Sequence, residues 1–358
     1  MHMADALISP AVGGIMWAAA VGTAAYSIKK LKYNTDEKKI PMMGVMGAFI
    51  FAAQMINFAI PGTGSSGHIG GGLLLAIVLG PYAGFLAMTS VLLIQALVFA
   101  DGGLLALGCN LFNLGFFTCY IAYPLIYRKI TAQGMTQKRI FAAVFIAVVA
   151  GLQLGSFSVV LQTLLSGKTE LPFGTFLLFM QPIHLAIGAI EGAVTAAVVS
   201  FVWRSRPEIL GNVSSQDKPE AMPEMSESIA AKKLSAAAQV KKLMLGILAA
   251  AILTGGVLSW FAAENPDGLE WSINKVTGTS ELEADDSIHR SLGELQKKTA
   301  VLPEYSIGAP ASKGDVIAGS ASDRVGTSVS GLAGGAATLF AAVLLGSAAM
   351  LLKRKQKK

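Results

Sequence analysis

Long apolar runs dominate this chain, and its polar residues are confined to the gaps between them. Runs long enough to cross a bilayer, about 20 residues each, fall near 9–28, 41–60, 82–100, 104–127, 139–165, 175–203, 243–262 and 332–352. A shorter run, 69–80, follows a glycine-rich loop and reads as a tilted or partial helix lined by protein. Backbone groups in lipid must find their hydrogen bonds within the protein, so such runs predict helices. The expected fold is an all-α polytopic membrane protein. A bundle of about seven helices occupies residues 1–205, a cytoplasmic linker 206–242, and a two-helix accessory module 243–358 with a small outer domain at 263–331.

The basic residues orient this pattern. They cluster at Lys29, Lys30, Lys32, Lys38 and Lys39, at Arg128, Lys129, Lys138 and Arg139, between Arg204 and Lys242, and from Lys353 to the end. Cytoplasmic loops carry the excess of Lys and Arg. Nine crossings with the N-terminus outside and the C-terminus inside put all four clusters on one side. The linker carries Pro207, Pro219 and Pro223, and Ser228 to Lys242 could form a short interfacial helix. The 263–331 stretch is acidic and reads as exposed and partly loose.

Composition agrees and removes several function classes. Of the 358 residues 53% are hydrophobic and only 14% charged, with a mean hydropathy of +0.58. Soluble domains carry about 25% charged residues. The net charge of +6 lies in the loop clusters and so argues against nucleic acid. No secretory leader fits the start, where Lys and Arg are missing and Asp5 stands in their place. Cys109 and Cys119 share one apolar run, which offers neither a disulfide framework nor a thiolate metal site.

Ionisable groups at membrane depth are costly and mark function. Here they are His2, Asp5, His68, Asp101, His184 and Glu191. With Met1 as a free N-terminus, its amine, the amide nitrogen of His2 and the His2 Nδ1 can close fused chelate rings around one ion. One place in a four-coordinate plane then remains for a ligand such as His68. Square-planar nitrogen ligation suits Ni(II) or Cu(II). Gly62, Gly64, Gly67 and Gly70–Gly72 around Thr63, Ser65, Ser66 and His68 permit either a re-entrant binding loop or a plain flexible turn. His184 and Glu191, seven apart on one helical face, could support a metal ligand or could hold helices together as a hydrogen-bonded pair. Asp101 reads as a loop carboxylate. Gln95, Gly102, Gly103, Asn110 and Asn113 could satisfy opened backbone or support ligands. Gly14, Ala18 and Gly22 form a small-residue stripe for close helix contact, within the fold or with a partner.

These residues resemble the CbiM/NikM family. The likeness rests on Met1-His2, the Thr63–His68 loop (TGSSGH), Gln95–Gly103 (QALVFADGG) with Gly108–Asn110, and His184–Gly192 (HLAIGAIEG). It covers roughly residues 1–205. Asn265–Trp271 (NPDGLEW) resembles the PDGLE-type accessory component, fused as in NikMN proteins. The resemblance implies the substrate-capturing S component of an energy-coupling factor importer for nickel or cobalt, in a bacterial inner membrane. It implies metal ligation by Met1, His2 and His68; Asp5, Ser66, Asn110, His184 and Glu191 are the candidates to support them. The partners implied are a membrane T component and two A-component ATPases, and the Gly14/Ala18/Gly22 face is the candidate surface for docking them. It also implies an accessory module that loads or gates the site, and no prosthetic group. Asp5 keeps the family's acid, but the glycine expected after it is absent, and His289 reads as a surface residue.

No Walker motif occurs, so ATP hydrolysis falls to separate partners, and without an HExxH or a nucleophile–base pair a membrane-embedded enzyme is the least favoured reading. Nickel import is the leading reading, and the PDGLE-like extension favours it over cobalt. A secondary transporter or a vitamin-binding S component is the other alternative, and the inverted repeats expected of a proton-coupled carrier are not visible.

Overall fold

The computed structural model describes residues 2–34, 39–168, 171–205, 210, 226–279, 282, 284, 286–307 and 321–355. A short 3₁₀ turn, Asp5–Leu7, precedes α1 (Pro10–Asn34) and α2 (Lys39–Gln54). A two-stranded hairpin follows, β1 (Phe58–Ile60) and β2 (Ser65–Gly67), then α3 (Gly72–Leu79) and α4 (Pro81–Val98). The bundle continues with α5 (Leu107–Thr131), α6 (Gln137–Ser166) and α7 (Phe173–Ser205). The C-terminal module comprises α8 (Ser226–Gly256), α9 (Gly268–Thr277), α10 (Ser287–Thr299) and α11 (Ala321–Lys355).

Six of the described helices (α1, α4, α5, α6, α7 and α11) are long and apolar enough to cross a membrane, and α2 is a shorter apolar helix. The protein is a multi-span membrane protein. The run at 69–80 folds as the eight-residue α3, about 12 Å long and buried along its whole length. It is too short to cross alone, and protein rather than lipid surrounds it. Gly80, at φ +88°, turns the chain directly into Pro81 at the start of α4. A Cβ on Gly84 would lie 2.9 Å from the Ala76 nitrogen, so α3 and α4 touch backbone to backbone. Through Leu111–Tyr127 the α5 turns widen to π geometry.

The C-terminal module is built into the bundle. Its α11 packs against α2, where Gly44 admits Val343 and Leu339 and Gly334 admits Phe51. Gly255 of α8 and Gly331 of α11 meet backbone to backbone. The stretch expected as an interfacial helix and the run at 243–262 are one helix, α8, closed by a 3₁₀ turn at Leu258–Phe261. Residues 206–209 and 211–225 of the linker lie outside the described residues. The acidic outer region does not stand free, because α9 buries Leu269 and Ile273 and α10 buries His289 against the bundle.

Candidate metal centre

The loop carrying His68 is folded by its glycines. Gly62 (φ +76°) and Gly64 (φ +72°) adopt the left-handed conformation that only glycine takes without strain, which lets the chain reverse between β1 and β2. The hairpin pairs Phe58 with Gly67 and Ile60 with Ser65. A Cβ on Gly67 would meet Ile187 Cγ1 at 2.5 Å, so β2 lies directly on α7. Beyond His68 the two Glu191 oxygens accept from Gly70 N at 2.9 Å and Gly71 N at 2.8 Å. Gln54 Nε2 donates to Gly70 O at 2.8 Å, and Gln95 holds Gln54 in turn. The loop therefore enters the bundle with its backbone hydrogen-bonded, as depth in a membrane requires.

The amino-terminal segment reaches the same place. Met3 N donates to Asn110 Oδ1 at 2.7 Å, and Met3 O accepts from Gly103 N at 2.9 Å and from Asn110 Nδ2. Asp5 Oδ1 accepts from Ala106 N at 2.9 Å. These bonds deliver the His2 ring face to face with the His68 ring, at a centroid separation of 5.1 Å and an interplanar angle of 18°. His2 Nδ1 lies 3.5 Å from Asp101 Oδ1, and Tyr305 Oη donates to Asp101 Oδ2 at 2.5 Å. Burial lowers the His2 pKa and pushes that of His68 down to about 3. Both rings are therefore neutral at physiological pH, the form that binds a metal.

Beside them is a cavity of about 20 Å3 lined by His68, His184, Asp267 and Gly268 among others, room for one water or one ion. His184 Nδ1 donates to Met180 O at 2.8 Å, and its buried Nε2 has no hydrogen-bond partner. The C-terminal module forms the cover. Ser66 N donates to Pro266 O at 2.8 Å, Ser66 Oγ to Asn265 O at 2.7 Å, and Trp271 Nε1 to Thr63 O at 3.0 Å. Asp267 caps α9 by accepting from Leu269 N and Glu270 N. A Cβ on Gly268 would meet Ile187 Cδ1 at 3.0 Å and His184 Cε1 at 3.2 Å.

Among the residues singled out from sequence, His2, His68 and His184 converge here, while Met1 lies outside the described residues. Asn110 and Asp5 fix the amino-terminal segment. His184 and Glu191 are not a pair: one faces the cavity and its own helix backbone, the other the Gly70–Gly71 amides. Ser66 bonds the C-terminal module rather than a ligand, because β2 runs beside Pro266 and Asp267. Gly14, Ala18 and Gly22 are exposed, with nothing within 4 Å of a Cβ on either glycine, so the stripe does not serve internal packing. Two sequence readings are corrected. Asp101 is no idle loop carboxylate but stands beside His2, and His289 is 6% exposed because its ring is buried against the amino-terminal segment. Asp267 and Tyr305 also stand by the site; in the sequence the PDGLE motif signals the first, and nothing marks the second.

The chain matches the family model for the cobalt uptake substrate-specific transmembrane region over residues 2–209 and the PDGLE domain over 241–352. It is 30% identical over 220 residues to the cobalt transport protein CbiM of Sorangium cellulosum, covering 59% of this chain and 94% of that one. It is 29% identical over 237 residues to the fused nickel transport protein NikMN of Rhodobacter capsulatus, covering 62% of this chain and 67% of that one. A crystal structure of a transition metal transporter superposes with a TM-score of 0.52 at 29% identity, covering 61% of this chain and all of that one. The chain belongs to the CbiM family of metal-transport proteins and carries a C-terminal PDGLE domain.

Proposed function

We propose that this protein captures Ni(II) on the outer side of a bacterial inner membrane, as the substrate-specificity subunit of an energy-coupling factor importer. The observation that carries this reading is the face-to-face stack of the His2 and His68 imidazoles, with an ion-sized cavity beside His68. Two imidazoles leave a four-coordinate shell incomplete. With Met1 as the mature terminus, its amine and the amide nitrogen of His2 supply the rest. That donor set is planar, all nitrogen and suited to Ni(II). Asp5, Asn110 and Glu191 hold the segments that bear the ligands, and His184 lines the chamber. ATP is hydrolysed by two A-component ATPases through a membrane T component, which docks on the open Gly14/Ala18/Gly22 face. With the His68 loop and α3 together counted as one crossing, the N-terminus lies outside and the C-terminus in the cytoplasm.

Acetylating Met1, or placing one residue before it, removes the amine and is expected to abolish Ni(II) binding in calorimetry. Unchanged affinity would refute the chelate. A Co(II) reading draws on the cobalt transport named for the family model and for the Sorangium relative. Direct competition between Ni(II) and Co(II) separates the two, since Co(II) has less to gain from a square plane.

A further inference from the structure

The C-terminal module touches the amino-terminal segment at one buried histidine. His289, near the start of α10, places Nε2 2.9 Å from Asp5 O and 3.0 Å from Ile8 O. Its Nδ1 lies 2.7 Å from Asp286 Oδ1. Asp286 is the N-cap of α10, accepting from His289 N at 3.1 Å, and its second oxygen accepts from Lys168 Nζ at 2.7 Å.

The chemistry of these partners fixes the protonation of the ring. Carbonyl oxygens only accept, and so does an ionised carboxylate. Burial opposes a charge on the imidazole, but the bonds to Asp286, Asp5 and Ile8 outweigh it and raise the His289 pKa. The bond from Lys168 and those from His289 hold the Asp286 carboxyl well below its usual range. Both ring nitrogens therefore carry hydrogen, and the ring bridges two sides as an imidazolium. A neutral ring could serve only one of them. The charged groups facing it are Asp286 from its own helix, Lys168 from the turn after α6, and Asp5 from the amino-terminal segment.

The tethered carbonyls bound the 3₁₀ turn that links His2 and Met3 to α1. Asn110 and Gly103 hold Met3 from the bundle side; His289 holds Asp5 and Ile8 from the module side. We propose that His289 is a positioning residue for metal capture, tying the C-terminal module to the segment that carries His2 and so setting the aim of the His2 imidazole. This rests on the assignment of His2 and His68 as ligands. The interaction spans 284 residues of sequence, and it gives the module a direct mechanical hold on the site without contributing a ligand.

The test uses the full chain in detergent, Ni(II) alone as the probe, and competition with a chromophoric chelator to read Kd. Removing a group that orients a ligand typically costs 10–100-fold in metal affinity. His289→Gln and Asp286→Asn are each expected to weaken Ni(II) binding about tenfold, and the double variant to be no weaker than His289→Gln alone, since both cut one chain of contacts. The ratio of variant to wild-type Kd should fall towards one as pH rises through the raised His289 pKa, because the wild-type ring then loses its second donor. A structural scaffold role would leave that ratio flat. Unchanged Kd, a pH-independent ratio, or additive losses would each overturn the proposal. If His289→Gln does not fold, Asp286→Asn, which keeps a side-chain oxygen to cap α10 at a one-third exposed position, decides from its Kd and pH profile. A His68→Ala control that still binds Ni(II) would instead refute the ligand assignment.

Discussion

Replacing Glu191 by Gln tests how the His68 loop is held. Each carboxyl oxygen accepts one backbone N–H, from Gly70 at 2.9 Å and Gly71 at 2.8 Å, and the side chain is 1% exposed. In glutamine one of these oxygens becomes an NH2, which faces an N–H and leaves both donors buried and unpaired. Losing one such bond and burying its donor costs about 2 kcal/mol. The loop is short, with His68 two residues before Gly70 and Gly71 opening α3 at φ +76°. If the whole cost reaches His68, Ni(II) affinity falls about thirtyfold, at 1.36 kcal/mol per factor of ten. Glu191→Gln should therefore bind Ni(II) between a few-fold and thirtyfold more weakly in calorimetry, while circular dichroism stays helical. An affinity within twofold of wild type, in a folded protein, would show that Glu191 does not hold the ligand loop.

Two further outcomes follow from close contacts. A Cβ on Gly103 would run into the Asp5 carboxyl and lie 2.5 Å from the Asp5 nitrogen, where backbone cannot yield locally. Gly103→Ala should displace the amino-terminal segment and weaken Ni(II) capture with little change in helix content, read by calorimetry beside circular dichroism. Ser66→Ala removes the hydroxyl bond to Asn265 O, worth about 1 kcal/mol, and should raise hydrogen exchange in α9 several-fold while leaving α11 protected.

The membrane helices were legible because apolar runs declare their own length, and Gly80-Pro81 announced the break between α3 and α4. The length of α3 was not, since an apolar run of twelve residues does not reveal how much of it the preceding glycines withdraw into loop. At the site, periodicity placed His184 and Glu191 on one face of α7 but could not say which neighbour each would meet. That neighbour is a cavity for one and the amides of an entering loop for the other. His289 was unreadable for a different reason. It lies on a helix rich in charge, and its partners are main-chain carbonyls, which every residue carries and no sequence pattern distinguishes. Asp101 gained its place only when Tyr305, 204 residues later, returned to the end of α4.

The module's two attachments differ in kind. In the membrane, α11 is locked to α2 and α8 by glycines that admit Phe51, Val343 and the Gly255 backbone. Parting them would expose close-packed surface and leave voids, at about 24 cal/mol per Å3 of cavity. Over the cavity, the cover is held by hydrogen bonds through Ser66, Trp271, Tyr305 and His289, each worth about 1 kcal/mol net, and by the buried side chains of Leu269 and Ile273. Lifting the cover therefore breaks these bonds and exposes Leu269 and Ile273, whereas moving α11 separates helices that touch backbone to backbone.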